Sequence, residues 1–145
     1  MSSKNTLVTL EASVDSIVSL ADPRLPYEHS LEIIAPNAIT PKLTSNISDL
    51  MSEGFEEIYC SKSLIESEVV SKECLYLFMI RDPAGQAVAM TTLHRSERNN
   101  TAKLHWLVVG EAARQKGLGT ALVYQAGLKA RQEDFSLVTL RTESY

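Results

Sequence analysis

The sequence predicts an α/β (α+β) domain, a mostly antiparallel sheet flanked by helices. Three observations predict it. Leu75-Tyr76-Leu77-Phe78-Met79-Ile80 is continuously apolar, as a strand covered on both faces should be. The turn chemistry of Asp82-Pro83-Ala84-Gly85 then leads into the β-compatible stretch Gln86 to Leu93, so the pair reads as a hairpin. Finally, the buried-strand stretch Trp106 to Val109 is followed by a glycine-bearing turn and by Leu118 to Gln132, which lacks proline and is rich in Ala and Leu.

The remaining elements fall into order around these. Leu7-Val8-Thr9-Leu10 reads as a short strand, and Val14, Ile17, Val18 and Ala21 share one helical face. Asp22-Pro23 and Leu25-Pro26 end that helix. Leu31-Glu32-Ile33-Ile34 is a further strand, stopped by Pro36. Thr40-Pro41 has the form of an N-cap followed by proline at the first helical position; Leu43, Ile47, Leu50 and Met51 continue at helical spacing to Gly54. Ser63-x-x-Glu66 has capping-box form, with Leu64, Ile65 and Val69 as the inward side of a second helix. A polar loop, Arg95 to Asn100, leads to a strand from about Ala102 to Val109. Ser136 to Arg141 is the last strand. The helix over 118–132 is not one-sided: Leu122, Ala126 and Ala130 form one stripe while Tyr124 and Leu128 lie elsewhere. This predicts either cover on two sides or a different register.

Bulk properties narrow the class of function. A chain of 145 residues with 44% hydrophobic and 22% charged residues is long enough for one domain with a real core. The net charge of −4 argues against nucleic acid, which favours a strong basic excess. Cys60 and Cys74 are too few and too unpatterned for a disulfide scaffold or a zinc site, so both are expected as buried free thiols. Met1-Ser2-Ser3-Lys4 lacks the apolar core of a secretion signal, and no apolar run approaches the ~20 residues that span a bilayer. The expectation is a soluble, cytoplasmic protein that uses no metal and binds neither membrane nor nucleic acid.

The chemistry is concentrated at Arg114-Gln115-Lys116-Gly117-Leu118-Gly119. A strand, a glycine turn and a helix start present backbone N–H groups and a positive dipole end to one anion. A P-loop needs G-x-x-x-x-G-K-S/T, which is lacking, and a dinucleotide fingerprint needs a third glycine where Leu122 stands. Both of those readings fail.

The hexapeptide matches Gln/Arg-x-x-Gly-x-Gly/Ala, and with the surrounding order of elements the chain from about Leu31 to Tyr145 resembles the GCN5-related N-acetyltransferase (GNAT) superfamily. Residues 1–30 are then an N-terminal extension and 31–145 a GNAT-like core within a single domain. The resemblance implies acetyl-CoA as co-substrate. The backbone of Gln115, Lys116, Gly117, Leu118, Gly119 and Thr120 binds the pyrophosphate, Arg114 and Lys116 add charge, and Leu107, Val108 and Val109 pair with the pantetheine arm. In this family the strand often bulges and splays from its neighbour, which no residue type announces, although Gly110 tolerates an unusual backbone.

Acetyl transfer to an amine needs a base, an oxyanion donor and an acid for the thiolate. His105 lies on the strand leading into the slot, nine residues before Arg114. The arylalkylamine acetyltransferases of the superfamily carry a catalytic histidine at a similar offset, with a second histidine where this chain has Lys103. His105 is therefore the candidate base, against the alternative of a histidine satisfied within the sheet. Strict alternation puts it on one face with Lys103, Leu107 and Val109, and puts Leu104, Trp106 and Val108 on the other. The resemblance makes the backbone N–H of Val109 the oxyanion donor. His94 at a hairpin end and His29 in a loop read as structural or solvent-facing.

The family's usual tyrosine acid lies on a helix after the strand at 136–141, followed by two further strands. Tyr145 comes too early to be that residue. The expectation is a chain shortened at its C-terminus relative to the family, with the 136–141 strand left as a sheet edge open to a homodimer. A partner chain or the N-terminal segment filling that gap are the other possibilities. The expected function is transfer of an acetyl group from acetyl-CoA to a small amine or protein amine by direct attack in a ternary complex. A CoA-binding sensor or interaction module without catalysis is the competing one.

Overall fold

The computed structural model describes residues 6–19, 24–54, 61–69 and 73–144. Its strands are β1 (Thr6–Ser13), β2 (Ser30–Ile34), β3 (Cys74–Arg81), β4 (Ala87–Arg95), β5 (Thr101–Val109) and β6 (Leu137–Ser144). The helices are α1 (Val14–Val18), α2 (Pro41–Gly54), α3 (Lys62–Leu64, running on as a π-helical turn over Ile65–Val69) and α4 (Leu118–Gln132). The strands form one sheet in the order β1-β6-β5-β4-β3-β2, antiparallel throughout except between β5 and β6.

Local chemistry explains most of these elements. Thr40 Oγ1 accepts from Leu43 N–H at 3.2 Å and caps α2, with Pro41 where its missing N–H costs nothing. Between β3 and β4, Gly85 N–H donates to Asp82 C=O at 2.9 Å, and Gly85 takes the left-handed conformation (φ +84°) that closes the turn. The Asp82 carboxylate holds the turn from outside, accepting from the N–H groups of Ala84 and Gln86. The second helix starts two residues earlier than the capping box at Ser63 predicts. Ser61 is its N-cap, accepting from Leu64 N–H at 3.2 Å. Two serines share the local pattern, and only the backbone decides between them.

The sheet has a packed layer on each face. Leu43, Ile47, Leu50 and Met51 of α2, with Ile65 and Val69, close over Leu77, Met79, Met90, Trp106 and Val108. On the other face Leu118, Ala121, Leu122, Ala126 and Ala130 of α4 close over Phe78, Ile80, Ala89, Leu93 and Leu104. The mixed pattern of α4 has its explanation in a second cover, because α1 also packs on it. Gly127 faces Ile17 so closely that an added Cβ would lie 2.4 Å from the Ile17 Cγ2. Cys74 is a buried free thiol whose pKa burial pushes up to about 12, so it stays protonated. Ala21, Asp22-Pro23, Cys60 and Tyr145 lie outside the described residues.

One expectation is overturned here. The strand at 136–141 is not a sheet edge, because β1 pairs with β6 along its whole length, from Thr6 opposite Ser144 to Ser13 opposite Leu137. The stretch read as an extension fills the gap, so the edge on which a homodimer was expected is taken. The pairing is long-range, and neither strand's own sequence names its partner.

Candidate active site

The site lies where β5 parts from β6. The parallel pair runs from Thr101 opposite Leu137 to Leu104 opposite Leu140 and stops there. Beyond that point β5 continues beside β4 to Val109, while β6 continues beside β1 to Ser144. A wedge therefore opens between them toward the C-terminal ends of two parallel strands, where ligands of such sheets collect.

A bulge shapes the wall of this wedge. Met90 is opposite Val108 and Thr92 opposite His105, so Thr91 alone faces both Trp106 and Leu107. Trp106 takes φ +57°, a left-handed conformation that costs a bulky residue energy and marks the extra position. The bulge breaks the alternation expected from the sequence. Leu104, Leu107 and Val109 pack with the α4 layer, whereas Trp106 and Val108 pack with the α2 layer. His105 and Trp106, although adjacent, stack their rings at 4.2 Å and 17°.

Past the bulge, Gly110 N–H donates to Val88 C=O at 2.8 Å, and Ala89 is the Cα partner of Val109. Antiparallel bonding alternates residue by residue, so the N–H and C=O of Val109 turn away from β4 and toward the wedge. The Val109 carbonyl accepts from Arg114 Nε at 3.2 Å.

The turn after β5 holds the residues at which an anion is expected to bind. Gln115 (φ +65°) and Gly117 (φ +76°) are left-handed, which curls successive N–H groups around the loop. Gly117 is the N-cap of α4 and makes no side-chain cap. The first intrahelical donor is Ala121 N–H, to Gly117 C=O, so the amides of Leu118, Gly119 and Thr120 carry the orphan donors of the helix start. A Cβ added at Gly119 would meet only Val109 Cγ2, at 3.9 Å, so the space above this turn is open. Gln115, Lys116 and Thr120 are exposed, and Leu118 is buried as the anchor. These residues suit a phosphate: clear backbone approach, orphan N–H groups and a helix dipole.

Arg114 does not point into that space alone. Its guanidinium bridges the Val109 carbonyl and the Glu53 carbonyl, the latter at 3.2 Å, while the Glu53 carboxylate accepts from Glu111 N–H at 3.0 Å. Glu53, which the sequence reading did not single out, thus ties the end of α2 to the turn. It also lines a groove of ≈ 920 Å³ that runs over α2 past Lys42, Asn46 and Asp49 to Arg81.

His105 is half-buried on β5 at the apex of the wedge. Of the two readings given to His94 the structure bears out the structural one: it is buried at 3% exposure, its Nε2 is 2.7 Å from Thr92 Oγ1, and its ring meets the His105 ring at 5.9 Å. Burial, then the neighbouring charges of His105 and Lys103, push its pKa down to about 4. Only the register of β4 on β5 reveals the pair. His29 contacts the Tyr27 carbonyl in its loop, away from these residues. Among the described residues no cluster of three or more His, Cys, Asp or Glu side chains forms a metal site, and no helix is long and apolar enough to cross a membrane.

Comparison with known proteins bears on the family and the fold. The sequence profile described as Acetyltransferase (GNAT) family matches residues 44–145. A tandem GNAT protein from the clavulanic acid biosynthesis pathway superposes with a TM-score of 0.72 at 21% identity, over 97% of this chain and 46% of that one. A GCN5-related N-acetyltransferase from Sphaerobacter thermophilus gives 0.70 at 14% identity, over 97% and 43%. An IAA acetyltransferase from Bacillus cereus gives 0.57 at 21% identity, over 78% and 65%. The chain spans about half the length of the first solved structures it matches. A comparison with curated proteins gives no match. With more than two thirds of its length matched by the profile, the chain belongs to the acetyltransferase (GNAT) family.

Proposed function

We propose that this member of the GNAT family transfers an acetyl group from acetyl-CoA to an amine, in a ternary complex built around the wedge between β5 and β6. The observation that carries the reading is the conjunction of the bulge, the parting of the strands after Leu104, and the uncapped start of α4. The turn at Gln115 to Thr120 takes the pyrophosphate on its backbone amides. Leu107, Val108 and Val109 offer main-chain partners to the pantetheine arm along the open side of β5, and Lys116 adds charge beside the phosphates.

His105 takes one proton from the incoming ammonium, which frees the nitrogen lone pair for attack on the thioester carbonyl carbon. The Val109 N–H, turned into the wedge, faces the oxygen that gains charge as the carbon–nitrogen bond forms. Collapse of that intermediate breaks the carbon–sulfur bond; the attacking nitrogen, still carrying two hydrogens and a positive charge, gives up its second proton, and the thiolate takes up one proton to leave as a free thiol. The unpatterned cysteines accord with a reducing, cytoplasmic setting, and a small amine or a protein amine serves equally as acceptor in this scheme.

Turnover against a panel of primary amines, read by thiol release, tests the reading. We expect release that depends on the amine, and a His105→Ala variant slowed by on the order of a hundredfold with its affinity for acetyl-CoA intact. Tight acetyl-CoA binding with no turnover for any amine would replace catalysis by a binding role. An unchanged rate in His105→Ala would remove His105 from the mechanism.

A further inference from the structure

A set of contacts behind the wedge is not used by that mechanism. The Thr92 hydroxyl lies 2.7 Å from His94 Nε2 and 2.9 Å from the His105 carbonyl oxygen. A threonine hydroxyl has one proton to give, and a carbonyl can only accept. Both contacts are hydrogen bonds only if Thr92 donates to the His105 carbonyl and His94 Nε2–H donates to Thr92 Oγ1. This fixes His94 as the Nε2–H tautomer. The Thr91 hydroxyl donates to the same His105 carbonyl at 3.0 Å, so two successive hydroxyls of β4 hold the residue at which the bulge begins. The ring of His105 is held as well, stacked on Trp106 at 4.2 Å and met by His94 at 5.9 Å with the planes 64° apart.

We propose that Thr92 and His94 are positioning residues for His105, fixing its backbone through the carbonyl and its imidazole through ring contact. The proposal rests on the reading of His105 as the base. A base must sit within hydrogen-bond reach of the proton it takes, and a misplacement of about 1 Å costs on the order of a hundredfold in rate. A half-buried imidazole turns about two side-chain bonds unless its neighbours fix it.

The charge on those neighbours matters too. Lys103 lies opposite His94 on β5, and Cys74 lies opposite it on β3 as a protonated thiol. Burial keeps His94 neutral near pH 7, so it adds no second positive charge that would oppose proton uptake by His105.

Histidine-ring NMR of the whole chain, joined to kinetics, tests this. The wild type should show His94 as the neutral Nε2–H tautomer at pH 7 and His105 ring protons shifted upfield by the Trp106 indole. Thr92→Val, which keeps the shape and loses the hydroxyl, should lose the tautomer signature and move the His105 signals. Its kcat should fall on the order of tenfold while KM for acetyl-CoA stays within about twofold. Thr92→Ser should restore all three readouts, and Thr91→Val should leave the His94 signature in place. His105 signals that stay put in both Thr92→Val and His94→Leu overturn the proposal, as does a Thr92→Ser variant that behaves like Thr92→Val. Full turnover by His105→Ala is a separate failure: it overturns the base reading while the His105 and His94 signals still report whether Thr92 holds them.

Discussion

Acidification should weaken this fold through His94 by an amount that can be worked out. The free imidazole titrates near 6.5, and burial, aided by the charges of His105 and Lys103, lowers the folded value to about 4. Above pH 6.5 the residue is neutral folded and unfolded, and it contributes no pH dependence. Between 6.5 and 4 the unfolded chain binds the proton and the folded chain does not, so stability falls as pH falls. The loss is about 2 kcal/mol by pH 5 and about 3 kcal/mol by pH 4, a large share of the stability of a typical domain. Urea unfolding of the wild type and of His94→Gln, followed by circular dichroism at pH 7 and pH 5, isolates it, because the other titrating groups are common to both chains. The stability difference between the two should shift by about 2 kcal/mol toward the variant at the lower pH. A difference that stays constant between pH 7 and pH 5 would refute the burial of a neutral His94.

Three further outcomes follow from the packing. Gly127→Ala gains about 1 kcal/mol of helix propensity but drives a Cβ to 2.4 Å from Ile17 Cγ2, so urea unfolding should show a net loss of about 1 kcal/mol. Placed in an Ile17→Ala background, the same change should become neutral or stabilising, and the cycle should be clearly non-additive. Gly117→Ala meets no atom within 4 Å but must hold φ +76°, so thermal unfolding should reveal a backbone cost of about 1–2 kcal/mol, much of which Gly117→Asn should recover. Glu53→Ala removes the acceptor of Glu111 N–H and should cost about 1 kcal/mol in urea unfolding, whereas Glu53→Gln keeps an oxygen there and should recover most of it.

Much of the framework was legible because its signals are local. The bounds of α4 read directly from the sequence, since Gly117 and the run after it carry helix start and propensity together. The β3–β4 hairpin followed from Asp82-Pro83-Ala84-Gly85, where each residue type suits its place in the turn. What escaped was set by pairing between distant segments. The bulge at Trp106–Leu107 has no sequence marker, because its left-handed residue is a tryptophan rather than a glycine, and it silently inverts the alternation beyond it. The covering of β6 by β1 depends on a partner more than a hundred residues away in the chain. His94 looked peripheral for the same reason: its neighbour His105 is brought close only by the register of β4 on β5, and its own position at the end of β4 says nothing of its burial. Glu53 was hidden because its role is a capping contact across two elements, with nothing in the residues around it to announce one.

If the turn from Gln115 to Thr120 holds the pyrophosphate of acetyl-CoA, calorimetric titration of the chain with acetyl-CoA, repeated on Gly119→Trp, reads it out. The position has open space on the turn side, with Val109 Cγ2 at 3.9 Å as the nearest atom, so the variant should fold and fill the site instead of the core. The wild type should bind one-to-one and Gly119→Trp should lose that binding, with unchanged circular dichroism. No binding by the wild type at millimolar ligand, or equal affinity in the variant, would contradict that placement of the pyrophosphate.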